Sequence, residues 1–281
     1  MTKALENTPS KTTAGVGAPG RASIPARTLR TDNWRKAPTL TFVLLSAWVV
    51  YATLRACWHA AYFDAKDHYL TPFYSPCVTK SCVPDSRDFG TWFGHFPPII
   101  PFAIITLVFL LGFRLTCYYY RRAYYRAFWA SPPACAVAEP HARYSGETRF
   151  PLIAQNLHRY FWLFAGLISL VNTWDVVQAF RPVKASGGHT FGFGLGTIIM
   201  LINVILLWGY TISCHSCRHI IGGRLRNFSR HPLRYKAWGV VSKLNAKHMQ
   251  LAWTTLATLA ITDGYIALVA SGAFSDPRIL H

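Results

Sequence analysis

Five apolar stretches, each close to twenty residues long, restrict what this chain can fold into. They lie at about residues 40–61, 97–115, 160–180, 191–212 and 251–270. A helix of about 20 apolar residues crosses the hydrocarbon core of a bilayer. Interiors such as TLTFVLLSAWVVYATL and FAIITLVFLLGF carry no charge. Stretches this long and this uncharged are rare in water-soluble folds. Composition agrees: 14% of the residues are charged and 52% hydrophobic, where a soluble domain carries roughly a quarter charged. The reading is an all-α, polytopic membrane protein with a bundle of five transmembrane helices over residues 38–281. Residues 1–37 precede it as a basic tail rich in Thr, Ala, Gly and Pro, expected to be disordered and cytoplasmic. The first 30 residues have no apolar core and no small-residue cleavage pattern follows the first span, so the tail does not read as a signal peptide.

The formal net charge of +18, from 29 Lys and Arg against 11 Asp and Glu, suggests nucleic acid if the protein is soluble. Five spans with a cytoplasmic N-terminus give it another meaning. The tail, the segment 114–159 and the segment 214–250 then share one side, and they hold 22 of the basic residues but only four acids, Glu6, Asp32, Glu139 and Glu147. That side carries the entire net charge, which is the positive-inside pattern. Topology accounts for the charge, so no nucleic-acid partner is implied. A basic face can also meet anionic lipid or dock soluble proteins.

The cysteines divide along the same line. Cys77 and Cys82, in SPCVTKSCVP, fall in the outer loop between the first two spans, where a disulfide suits an oxidising exterior. Cys57, at the outer end of the first span, reads as packing. Cys117, Cys135, Cys214 and Cys217 fall on the reducing side, where paired cysteines are more often metal ligands or redox groups. The fourth span ends in Cys214-His215-Ser216-Cys217-Arg218-His219. A Cys-x-x-Cys spacing lets two thiolates reach one metal, and thiolate favours zinc, copper(I) or iron–sulfur centres. Arg218, Arg224 and Arg226 are expected to favour the thiolate form. His158 opens the third span and His248 the fifth, both level with Cys214. Cys214, Cys217, His158 and His248 can therefore form a zinc site or a Rieske-type [2Fe–2S] cluster. His215 and His219 are rivals; on one continuous helix they share a face that Cys214 and Cys217 do not. Cys117 and His141 also stay open as ligands. A haem b is the other metal reading, with His59, His95 and His189 near the outer edge.

Polar residues within the spans are few: Arg55, Asn172, Asp175, Asn203 and Asp263. Asp263 is deepest and is expected to face the bundle and pair with a polar neighbour. No inverted repeat and no pair of broken helices is visible, which counts against a secondary transporter. No phosphate-binding glycine loop or Ser/His/Asp grouping occurs, and GGHTFGFGLG reads as small-residue packing.

Several long runs, in order, carry a resemblance: LTCYYYRRAYYRAFW, PPACAVAEPHARYSGETRFPL, QNLHRYFWLF, LLWGYTISCHSCRHIIGGRL and SKLNAKHMQLAW. From about residue 34 to 276 the chain resembles the membrane-anchor, cytochrome b-like subunit of actinobacterial succinate dehydrogenase. The resemblance implies a five-helix anchor of respiratory complex II in the plasma membrane. Its partners would be a flavoprotein with FAD and a subunit carrying further iron–sulfur clusters, both cytoplasmic. Succinate oxidation would sit in the flavoprotein, and electrons would reach menaquinone or ubiquinone at the anchor through a Rieske-type cluster. Arg159, Tyr160 and Trp253 are the expected quinone neighbours. A structural anchor with zinc and a stand-alone transporter are the competing readings.

Overall fold

The computed structural model describes residues 32–131, 133–135, 137, 154–182, 188–223 and 225–280. Residues 1–31 of the expected tail, together with Glu139, His141, Glu147 and Arg224, lie outside the described residues. Eight helices are present among those described: α1 (Lys36–Trp58), α2 (Ile104–Leu115), α3 (Tyr118–Phe128), α4 (His158–Ala179), α5 (Leu195–Ile212), α6 (His215–Gly222), α7 (Pro232–Asn245) and α8 (His248–Ala270). Two short antiparallel pairs complete the elements, β1 (Phe63–Asp64) with β2 (Tyr69–Leu70) and β3 (Phe193–Gly194) with β4 (Arg278–Leu280). The fold is that of a polytopic all-α membrane protein.

Helices α1, α4, α5 and α8 are each long and apolar enough to cross a membrane. Helix α1 leaves Leu40, Val43, Leu44, Val49, Val50 and Leu54 exposed; that surface is costly in water and indifferent in lipid. The second apolar stretch behaves differently. A helix over all of 97–115 does not form; helix begins only at Ile104. Pro97, Pro98 and Pro101 lack the backbone N–H a helix interior needs, and each disfavours helical geometry in the residue before it. Twelve residues rise about 18 Å, well short of a bilayer core. Helix α3 follows at a bend of 76°, so the pair makes a fifth crossing only as one broken span.

Helix α5 packs against α4 and α8, α2 against α4, and α1 against α3. Gly112 and Gly196 make close approaches possible. A side chain at Gly112 would run into the Phe161 ring, and one at Gly196 into Tyr69. The loop after α1 is pinned by the Cys77–Cys82 disulfide. Across the membrane level, Arg55 of α1 meets Asp263 of α8 at 2.6 Å. Tyr51 donates to the same carboxylate at 2.5 Å, so Asp263 does face the bundle and is paired. Asp175 accepts from Ser75. At the opposite end the beginnings of α4 and α8, the end of α5 and the α2–α3 junction converge.

Candidate functional site

At that end, two cysteines occupy equivalent backbone positions. Cys117 stands between α2 and α3 with φ −69° and ψ 131°. Cys214 stands between α5 and α6 with φ −65° and ψ 146°. Each is an extended residue that stops a helix coming through the bundle and starts a shorter one. The Cys214 thiol also accepts from the Ser216 amide at 3.4 Å. Cys214 is thus the N-cap of α6 and Cys217 its third residue. Both thiols are buried, Cys214 at 0% and Cys117 at 2% exposure.

Two imidazoles face these thiols. His158 Nε2 lies 3.2 Å from Cys214 Sγ, and His248 Nε2 lies 4.0 Å from Cys117 Sγ. The other ring nitrogens make matching contacts. His158 Nδ1 is 2.8 Å from the Thr116 hydroxyl, and His248 Nδ1 is 2.6 Å from the Ser213 hydroxyl. Thr116 spends its own proton on the Gly112 carbonyl at 2.7 Å, and Ser213 spends its on the Tyr210 carbonyl at 3.0 Å. Each hydroxyl oxygen is therefore left to accept from Nδ1–H. Both imidazoles are assigned as Nδ1–H tautomers, with the Nε2 lone pair aimed at a thiol. This is how a hydrogen-bond partner behind a histidine orients it as a metal ligand.

Between the four side chains is a cavity of about 200 Å³, lined also by Thr116, Tyr119, Arg121, Gln155 and His215. That is well above the roughly 10–15 Å³ of such space that one water needs. Among the described residues, no three His, Cys, Asp or Glu side chains come close enough together to hold a metal ion. The donors come as two Cys–His contacts instead. Two thiols and two imidazoles around one cavity are the donor set of either a two-iron Rieske-type centre or a tetrahedral zinc site.

Of the expected ligands, the structure brings Cys214, His158 and His248 to this cavity and leaves Cys217 out of its lining. Cys117, three residues beyond the buried Arg114, takes the place facing His248. Burial pushes the Cys214 thiol up to about 12 and raises that of Cys217. Arg218 lies over the Trp238 ring at 4.8 Å. A metal at Cys214 must displace the proton. Arg159 and Tyr160 are exposed on the first turn of α4, while Trp253 packs on Tyr120 with ring centres 5.7 Å apart. None of these three lines the cavity. His59 stacks on Phe102, His189 is bonded to the Arg181 carbonyl and His95 is exposed; none of them lines it either.

Two surrounding features were not legible beforehand. Arg114, counted from the sequence as an ordinary flanking cation, is buried at 9% exposure. Tyr210 stacks on His248 with ring centres 4.8 Å apart and against Phe113 at 5.2 Å. Only the position of Arg114 inside an apolar run, GFRLTC, hinted at it.

The family model described as actinobacterial succinate dehydrogenase subunit SdhC matches residues 36–272. A solved structure, the Mycobacterium smegmatis Sdh1 complex in the apo form, contains a chain 63% identical to this one. The match has a TM-score of 0.86 and covers 95% of this chain and 100% of that chain. No curated protein matches.

Proposed function

The chain belongs to the actinobacterial succinate dehydrogenase SdhC family. From that premise we propose that it anchors a flavoprotein and an iron–sulfur subunit to the plasma membrane and delivers their electrons to quinone through a Rieske-type [2Fe–2S] cluster. It is a membrane subunit of an enzyme whose succinate oxidation takes place in the flavoprotein with its FAD. The observation that carries the cluster reading is the pair of Cys–His contacts around one cavity, each histidine held by a hydroxyl on its far nitrogen.

Cys117, Cys214, His158 and His248 would hold the cluster, which when bound supplies one-electron transfer between the soluble subunits and quinone. The chain's own residues do the rest. Thr116 and Ser213 orient the imidazoles and fix their tautomers. Phe113 stacks on His158 with ring centres 4.8 Å apart, and with Tyr210 it excludes water from the bundle side. His215, exposed beside the cavity, and Gln155 give it a polar edge through which protons for quinone reduction can enter. Arg159, Tyr160 and Trp253 lie within five residues of His158 or His248 along their helices, and quinone would enter from lipid beside them. The basic end is taken as cytoplasmic, with residues 1–37 as its tail and residues 38–281 as the anchor.

The test is the purified complex, assayed for iron and acid-labile sulfide and examined by electron paramagnetic resonance after reduction. Cys117→Ser, Cys214→Ser, His158→Ala and His248→Ala are expected to lose the signal, and Cys217→Ser to keep it. A complex containing zinc and no iron beyond that of the soluble subunits would sink the cluster reading in favour of a structural metal.

A further inference from the structure

Arg114 is the most unusual charge in the bundle. Its guanidinium donates to the Tyr120 hydroxyl at 2.6 Å, to the Ala252 carbonyl at 3.5 Å and to the Thr255 hydroxyl at 3.4 Å. It also lies over the rings of Tyr120 and Tyr210, at 5.6 and 5.2 Å. Every one of these partners is neutral. Among the described residues no carboxylate is paired with it, whereas Arg55, also buried, has Asp263; Arg121, buried on α3, is a second cation at the cavity. A charge buried in an apolar surrounding is costly unless an opposite charge lies within reach.

The Cys/His cavity lies beside it. Cys117 is three residues from Arg114. The Tyr210 ring is 5.2 Å from the guanidinium carbon and 4.8 Å from the His248 ring centre, which places the guanidinium no more than about 10 Å from His248. Phe113, Tyr210, Ala252 and Leu256 fill the space around it as buried side chains. Little solvent is available there to screen the field.

We propose that Arg114 is the built-in counter-charge of the redox centre and raises its reduction potential. This rests on the cluster reading above. Two ferric ions, two sulfides and two thiolates carry no net formal charge, and the imidazoles add none. Such a centre would take one electron from an iron–sulfur donor of the soluble subunits, one ferric ion becoming ferrous, and would then carry a charge of minus one. A fixed cation nearby favours that reduced state over the oxidised one. Net charge near the sulfurs and burial are among the levers that set such potentials. Arg114 acts at a distance, through its charge, and ligates nothing.

The experiment is a potentiometric titration of the intact complex followed by electron paramagnetic resonance. Arg114→Gln removes the charge and is expected to shift the midpoint to lower potential, while Arg114→Lys keeps it near the wild-type value. Thr255→Asp keeps the guanidinium and places a carboxylate against it; the same downward shift is expected, with Thr255→Asn unshifted. Where Arg114→Gln does not assemble, Thr255→Asp decides. Midpoints unchanged in both charge-altering variants, or a Lys variant that falls as far as Gln, would overturn the proposal. A wild-type complex without iron at this site would defeat the cluster reading itself, and this inference with it.

Discussion

Removing the hydroxyl behind one histidine tests the site without touching a ligand. In Ser213→Ala the acceptor 2.6 Å from His248 Nδ1 disappears. Ser213 is at 0% and His248 at 2% exposure, so water cannot take its place. A buried N–H left without a partner costs about 1–3 kcal/mol, which at ~1.4 kcal/mol per tenfold corresponds to roughly 5- to 150-fold weaker metal retention. Partners behind a ligating histidine are typically worth about 10–100-fold, the same range. Thr116→Val removes the equivalent acceptor of His158 at 2.8 Å, but both side chains there are only partly buried. Water can substitute, and the loss should be less than about tenfold. The assay is iron retained by the detergent-purified complex over a chelator series, with the resonance amplitude as a second measure. Two results would refute the reasoning. One is a Ser213→Ala complex that assembles and retains iron like wild type; the other is a Thr116→Val complex that loses more iron than Ser213→Ala.

The buried pair of Arg55 and Asp263 makes a second prediction: Asp263→Ala strands a cation at the heart of the bundle and should lower stability by about 3–5 kcal/mol. Thermal unfolding of the complex reads this, and Arg55→Met combined with Asp263→Leu should recover part of the loss. The Cys77–Cys82 disulfide spans five positions, and closing so short a loop contributes about 2 kcal/mol on the chain-entropy account; Cys77→Ser should lower the unfolding midpoint correspondingly, and mass spectrometry after alkylation without reductant should find the wild-type pair unlabelled. Orientation is checked by placing single cysteines at the exposed positions Asp85 and Lys236. On intact cells a membrane-impermeant maleimide should label the former and spare the latter; the reverse pattern would invert the proposed topology.

The helices through the bilayer were readable because a membrane leaves little choice. Every backbone polar group in the hydrocarbon must be satisfied within its own segment, so length and lack of charge nearly specify the element. Four of the five stretches became single long helices on that basis. The stretch at 97–115 did not, and the cause is also written in its residues: three prolines outweigh apolar character where backbone N–H groups are needed. His158 and His248 could be placed at one depth from their helix ends alone.

What sequence spacing could not supply was contact between elements. Cys214-x-x-Cys217 is the visible pair, yet Cys217 does not line the cavity, whereas Cys117, almost a hundred residues earlier in the chain, does. Arg114 looked like one more cation of the basic end until packing enclosed it among Tyr120, Tyr210 and Thr255. The sequence by itself determined the crossings and which chemical groups lie at which level, since both follow from local hydrophobicity and helix rise. Only the tertiary structure decided which thiols meet which imidazoles and which charge is buried beside them, because those depend on how helices distant in the chain turn their faces to one another.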